Sequence, residues 1–463
     1  MATGLSRLLI QSTSFGNETG SLPNGIFEPG AAAISRICDS RVLVIGAGGL
    51  GCEILKDLAL SGFRDVHVMD MDTIDLSNLN RQFLFRKKDI GRFKSQAAAE
   101  FITRRCPAVR VTPHPNPNGT VKVGKDVFDA SSGKIQDYDA EFYAKFNVVV
   151  AGLDNVEARR WINSLLCSMV KLDEDGDPDP STIIPLIDGG TEGFKGQARL
   201  ILPRVTSCFE CSLDSFPPQT TFQLCTIADT PRKPEHCIAY AFMMLWPKEW
   251  PFGQDVKIDA DEPEHMQWVL QKAAERAREY RIEGVTLSLT QGVVKNIIPA
   301  IASTNALISA ACVNEVVKVL SYASHSLNSY MMYMGSTGVY TNTFEYERKT
   351  GCPVCGAREL PFRLSDAVPG GLDGTLHDLR HALLENTTLR LKEPSILSDV
   401  GEGQTLLMST GPLARHAQVG VDGSNLRRTL RELELSDGSA LTVTDTVHPK
   451  DFSITLKLIA DDG

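Results

Sequence analysis

Apolar positions along this chain follow two periods, and the places where the period changes mark out its elements. Val42-Leu43-Val44-Ile45 is an apolar, β-branched run that ends in a glycine-rich turn. Beyond the turn, Ile54, Leu55, Leu58 and Ala59 fall at helical spacing. Val66 to Met69 predicts the next strand, closed by Asp70. Phe146 to Val150 predicts another, leading through Gly152-Leu153-Asp154 into a helix from Val156 to Val170. Strands alternating with helices imply an α/β domain with a mostly parallel sheet and helices on both faces.

The pattern also divides the chain. Residues 1–37, rich in Gly, Ser, Pro and Ala, read as a flexible lead-in, and 38–207 as the first part of the α/β domain. From Cys208 to 284, prolines, tryptophans and charged helices replace the alternation, as an inserted, mainly helical domain would. The α/β pattern returns over 285–350, where Ile297 to Val313 predicts a buried helix. Residues 351–463 form a further unit of ordinary domain size. It has a helix carrying Leu376, Leu379 and Leu383, a second helix through Leu430, and short strands at Thr388–Leu391, Thr405–Met408, Ala440–Val443 and Ser453–Leu458. That is a small α+β domain. The proline-rich stretch 113–133 and the acidic 172–180 read as surface excursions without enough apolar surface to fix their shape.

Composition narrows the class. The 463 residues are 42% hydrophobic and 22% charged, as in ordinary globular proteins, and exceed what one core serves. A net charge of -10 argues against nucleic acid as a partner and is compatible with a basic protein partner. No apolar run predicts a membrane span or a signal peptide. Eleven cysteines without such a peptide point to a reducing compartment, cytoplasmic or nuclear, where thiols serve as metal ligands, nucleophiles or core residues.

Gly46-Ala47-Gly48-Gly49-Leu50-Gly51 satisfies G-x-G-x-x-G between a strand and a helix, with Asp70 at the distance of a ribose-binding acid. Alone, this means a nucleotide, most commonly NAD or FAD. The basic residues Arg81, Arg86, Lys87, Lys88, Arg92 and Lys94 suit a triphosphate better, although such runs often only face solvent. Asp154, at the carboxyl end of a predicted strand, suits magnesium or a helix N-cap equally.

Cys208-Phe-Glu-Cys211 and Cys352-Pro-Val-Cys355 supply four thiolates, the set of a closed structural zinc site, if the chain returns on itself. Cys225 and Cys237 are the candidate nucleophiles, with His236 adjacent to the latter. Cys38, Cys52, Cys106, Cys167 and Cys312 read as core residues.

The segments GAGGLG, DMDTIDLSNLNRQFLF, GLDNVEARRWIN, DGGTEGFKGQARLILP and LCTIADTPRKPEHC, with the spaced cysteine pairs, resemble the catalytic subunits of ubiquitin-like-protein activating enzymes, those of the neddylation type most of all. The resemblance implies a Rossmann-like adenylation domain, an inserted catalytic-cysteine domain and a C-terminal ubiquitin-like domain that binds the conjugating enzyme. It implies ATP bound by Gly46 to Gly51, Asp70, Asp72, Asn78, Arg81, Gln82, Lys94 and Asp154. Magnesium would sit on Asp154, and structural zinc on Cys208, Cys211, Cys352 and Cys355. Arg81 and Lys94 would be catalytic and Cys225 would carry the thioester. Arg199 would reject ubiquitin through like-charge repulsion. An inactive homologous regulatory subunit would complete a heterodimer. Three other readings compete. A nicotinamide oxidoreductase leaves the thiols unexplained, a bacterial-type sulfur-carrier activator lacks the extra domains, and a non-catalytic scaffold would have lost Lys94, Asp154 or Cys225.

Overall fold

The computed structural model describes residues 30–114, 121–123, 126–128, 134–215, 231–253, 256, 258–259, 262–294, 301–323, 330–356, 359–398, 405–409, 424–449 and 452–459. Cys225 and most of 113–133 lie outside them. Two compact units emerge, one from residues 1–215 with 301–463 and the other from 216–300.

The first unit opens with helix α1 (Ala31–Asp39), where a loose lead-in was expected. Ala33 and Ile37 stand four apart on one face and are buried in the core, which fixes this turn of chain. Strand β1 (Arg41–Ile45), helix α2 (Gly49–Ser61), β2 (Asp65–Met69), α3 (Lys94–Arg105) and β3 (Arg110–Pro113) follow. Strands β4 (Val121–Val123) and β5 (Asp126–Phe128) pair with each other alone. Next come β6 (Val148–Ala151), α4 (Val156–Met169), β7 (Leu186–Glu192) and β8 (Lys195–Ile201). Strands β3, β2, β1, β6 and β7 are parallel neighbours in that order. Alternate residues point to opposite faces: Val42 and Val44 join Ile54, Leu55 and Leu58 of α2 in the main core. Each of those three α2 side chains is fully buried and contributes about 1.5–3 kcal/mol. Helix α2 stops at Gly62, whose φ of 104° lets its N–H reach the Leu58 carbonyl.

The acidic stretch 172–180 has a fixed shape, contrary to expectation. The Asp173 carboxylate accepts the N–H groups of Asp175 and Asp177 at 3.0 and 2.8 Å, and Asp179 accepts that of Ser181 at 2.9 Å. Local polar bonds do there what apolar burial does elsewhere.

In the second unit, α5 (Pro234–Tyr240) continues into a π-helical turn, Ala241–Leu245, and packs with α6 (Pro263–Glu279) and α7 (Leu287–Val294). Its core holds Cys237, Ile238, Trp246, Met266, Val269 and Ala273. Val285, Leu289, Val293 and Val294 pack on that core. The segment from Val285 through α7 therefore belongs with the helices, whereas a return to the sheet was expected there.

Helix α8 (Ala302–Ser321) returns to the first unit and buries Ile308, Cys312, Val313 and Val316 against α2 and the sheet. Strands β9 (Tyr330–Met334) and β10 (Tyr340–Phe344) extend the sheet antiparallel beyond β8, to eight strands. The C-terminal part forms a separate sheet from β11 (Glu359–Arg363), β12 (Ser395–Ser398), β13 (Thr405–Met408), β14 (Ala440–Thr444) and β15 (Ile454–Ile459). Its order is β11-β15-β14-β12-β13, with β11 and β15 parallel. Helix α9 (Leu376–Glu385) starts on a capping box between Thr375 and Asp378 and buries Leu376, Leu379 and Leu383. The strand expected at Thr388–Leu391 is a turn, because the Asn386 side chain accepts the N–H groups of Thr388 and Leu389. The expected second helix is, among the described residues, a 3-10 turn at Ser424–Arg427. No helix among the described residues is long and apolar enough to cross a membrane.

Candidate active site

The carboxyl ends of β1, β2 and β6 meet where the strand order reverses, the usual ligand crevice of an open α/β sheet. Gly46 leaves β1 with φ +97°, and a Cβ there would lie 2.6 Å from the Gly152 carbonyl oxygen. A Cβ on Gly51 would stand 1.9 Å from the Gly46 carbonyl oxygen. Backbone thus packs on backbone, and only glycine fits. Gly48 differs, since nothing lies within 4 Å of its Cβ position. It is the N-cap of α2 and provides no side-chain cap, so the N–H groups of the first helical turn are left for an anion. Asp70 braces the turn. Its carboxylate accepts the Ala47 N–H at 2.6 Å and the Asp72 N–H at 2.8 Å. Burial pushes this carboxyl up, against the opposing pull of Lys94 and of these two bonds. Each oxygen keeps a lone pair for a further donor.

Lys94, the first residue of α3, is buried, with Nζ 2.8 Å from Asp72 Oδ2. Arg81 lies across the turn, its Cγ 3.6 Å from the Cβ position of Gly49, and donates to the Ser77 carbonyl and to Asn80. Asn78 is buried and accepts the Asp75 N–H at 3.0 Å. Gln82 is 3% exposed and its Oε1 has no hydrogen-bond partner. Two other members of the basic run are engaged elsewhere. Arg86 donates to the carbonyls of Phe83 and Phe85, and Arg92 bonds Asp89 and Glu100. Asp154 is exposed at the mouth of the crevice. The helix cap is its neighbour Asn155, whose side chain accepts the Ala158 N–H at 2.7 Å. Asp154 therefore does not serve as the cap.

Two further residues of the crevice were not singled out from the sequence. Asn305 is 1% exposed and accepts from Thr191 Oγ1 at 2.7 Å. Its Nδ2 has no partner and would lie 2.4 Å from a Cβ on Gly49. Arg159 ties the crevice together by bonding the carbonyls of Leu153 and Gly189 and the Asp188 carboxylate. For Arg159, the adjacent pair Arg159 and Arg160 within a helix predicted to pack against the sheet was the available clue. A glycine cradle, orphaned buried polar atoms and paired cations fit a nucleotide triphosphate.

Arg199, on β8, is 3% exposed. Its Nε lies 3.5 Å from Asp188 Oδ2, Nη1 donates to Ser212, and the guanidinium stacks 4.8 Å from Phe209 and 5.3 Å from Tyr330. Nε and Nη2 lack hydrogen-bond acceptors. Asp188 also accepts from Arg159 and Gln197, so it does not depend on Arg199 for its partners.

Cys208, Cys211, Cys352 and Cys355 converge although 144 residues separate the pairs. All four are buried and their sulfurs lie within 4.8 Å of one another. The separations of 3.8, 3.6 and 3.4 Å compare with roughly 3.8 Å between ligands of a tetrahedral zinc thiolate. The donor set fits zinc. Cys52, Cys167 and Cys312 are buried as expected, while Cys38 and Cys106 are half-buried. Cys237 is fully buried in the helical core, and that burial pushes its thiol up. His236 accepts the Arg232 N–H at 3.2 Å. Such a thiol is inert.

The ThiF family matches residues 24–354, and the E2 binding domain family matches residues 372–458. The chain is 48% identical to the NEDD8-activating enzyme E1 catalytic subunit of Dictyostelium discoideum over 95% of this chain and 94% of that one. It is 48% identical to the Nedd8-activating enzyme E1 catalytic subunit of Drosophila melanogaster over 90% and 87%. A solved structure titled "Crystal structure of E. coli MccB + ATP" aligns at TM-score 0.40 and 17% identity, over 70% of this chain and 69% of that one. With nearly half its residues identical to these relatives over almost the full length of both chains, the chain belongs to the family of NEDD8-activating enzyme E1 catalytic subunits.

Proposed function

We propose that the chain uses ATP to activate the C-terminal glycine of NEDD8, a ubiquitin-like modifier, holds it as a thioester on Cys225, and passes it to a conjugating enzyme. One observation carries the reading: the glycine turn, Asp70, Lys94, Arg81 and Asp154 all gather at the sheet crevice of a ThiF-family chain. The modifier's carboxylate attacks the α-phosphorus, forming an acyl adenylate and releasing pyrophosphate. Gly46 to Gly51 cradle the phosphates through backbone N–H groups, and Asp70 and Asp72 take the ribose side. Asn78 and Gln82 orient the nucleotide. Lys94 and Arg81 offset the charge that develops at phosphorus. Asp154 would hold magnesium, which supplies further charge neutralisation there. The Cys225 thiolate then attacks the acyl carbon and AMP leaves. In the last step the conjugating enzyme's thiolate takes the acyl group and Cys225 returns to the thiol. The C-terminal domain recruits that enzyme, as its family assignment supports.

The four-cysteine centre binds structural zinc in this reading, an inactive homologous subunit completes the enzyme, and the site of action is the cytoplasm or nucleus. Arg199 selects against ubiquitin by repelling an arginine near the modifier's C-terminus; Asp188 beside it is shared with Arg159 and Gln197, and Arg199 Nε and Nη2 hold no hydrogen-bond acceptor. The test is a reaction of the chain and its companion subunit with ATP and labelled NEDD8. A thiol-sensitive adduct should form, be lost in Cys225→Ala and persist in Cys237→Ala. An adduct that survives in Cys225→Ala removes that cysteine's role.

A further inference from the structure

Glu210 stands between two of the clustered thiols, Cys208 and Cys211, and is buried. Arg160 of α4 grips it with both arms of the guanidinium: Nε to Oε2 at 2.9 Å and Nη2 to Oε1 at 2.6 Å. The same guanidinium donates from Nη1 to the Arg390 carbonyl of the C-terminal domain, at 3.0 Å. One turn further along α4, Ser164 Oγ meets His448 Nδ1 of that domain at 2.7 Å, and both residues are buried. Asp214, just past the cysteines, pairs with Lys349 and with Arg390. A buried bidentate ion pair that spends its remaining donor on another domain's backbone is an expensive arrangement unless that contact matters.

Building on the function proposed above, we infer that the Arg160–Glu210 pair is a positioning clamp, which docks the conjugating-enzyme-binding domain on the adenylation domain and is itself held in place by the four-cysteine centre. The chain of contacts runs from the thiols through Glu210 to Arg160 and from there to the turn at residues 386–391, while Ser164, one turn along the same helix, reaches His448. The hydrogen bonds of Arg160 go to Glu210 and to the carbonyls of Leu389 and Arg390, whereas those of its neighbour Arg159 serve the crevice, so the clamp bears on transfer and not on adenylation.

The test uses the full chain with its companion subunit and the double variant Arg160→Met/Glu210→Met, which leaves neither charge buried alone. Hydrogen exchange of residues 386–394 should rise at least tenfold. Modifier-dependent pyrophosphate exchange should stay within twofold of wild type, and the kcat of transfer to saturating conjugating enzyme should fall at least fivefold. Zinc removal by a chelator should raise the same exchange rates in the wild type, with zinc release followed by a colorimetric dye. Lys392→Ala, which removes only an exposed pair with Glu157, should change none of these. Unaltered exchange at 386–394 in the double variant would overturn the clamp. Faster exchange with unchanged transfer would overturn its positioning role, and a parallel loss of pyrophosphate exchange would assign the pair to the nucleotide site instead. If wild type itself shows no modifier-dependent pyrophosphate exchange, it is the proposed function that fails.

Discussion

Replacing Gly48 by alanine separates nucleotide contact from folding. The residue has φ -73° and ψ -157°, which an L-residue adopts without strain, and the added methyl meets no atom of the chain within 4 Å. Stability should therefore match wild type. If the turn cradles phosphates, the methyl occupies their space and pushes them off the first N–H groups of α2. Losing one charge-assisted bond costs about 1.5–3 kcal/mol, which is roughly a 10- to 150-fold rise in the KM for ATP. Gly51→Ala is the counterpart. Its methyl would stand 1.9 Å from the Gly46 carbonyl oxygen, so backbone must retreat by more than about an ångström, at a cost of about 1–3 kcal/mol in stability. Thermal unfolding and pyrophosphate exchange as a function of ATP concentration read both quantities. A Gly48→Ala enzyme with wild-type Tm and wild-type KM for ATP would show that no nucleotide lies against this turn.

Other expectations follow from the same geometry. Arg199→Gln leaves Asp188 held by Arg159 and Gln197, so the variant should fold and accept ubiquitin more readily in a competition assay; unchanged selectivity would remove its discriminating role. Cys352→Ser should lower both the zinc content measured by atomic absorption and the Tm, and full metal content in that variant would exclude the four-thiol centre. His448 is pushed down to about 3, chiefly by burial and then by Arg160, so the unfolded chain binds the extra proton between about pH 3 and 6.5. Its contribution to stability is complete above about 6.5 and is lost as pH falls through that window. His448→Gln should flatten that part of a denaturation-versus-pH curve, and an identical slope would refute the assignment.

Much of this was legible in the chain itself because the signals were local. The run from Val42 to Ile45, the turn after it and the spacing of Ile54, Leu55 and Leu58 each specify their own backbone, and β1 and α2 lie where the pattern puts them. The failures are of another kind. Helix α1 is short, and only the buried neighbours of Ala33 and Ile37 show that it belongs to the core. The 172–180 turn is built from side chain to backbone bonds that no hydrophobic count detects. In the basic run, charge alone could not tell Lys94, which faces the crevice, from Arg86 and Arg92, which are engaged by loop carbonyls and carboxylates. Asp154 suited magnesium or a helix cap equally on paper, and the cap falls one residue later, on Asn155.

The C-terminal sheet carries a consequence for how the protein is made. Strand β15 is the last of its described strands in the chain, yet it lies between β11 and β14 rather than at an edge. A nascent chain cannot close this domain until Ile459 has left the ribosome, because β11 must wait about ninety residues for its parallel neighbour. The domain that would receive the conjugating enzyme is thus withheld during synthesis, and a product cut short before Ile454 loses an interior strand of the sheet, and with it the partner of β11, rather than a margin.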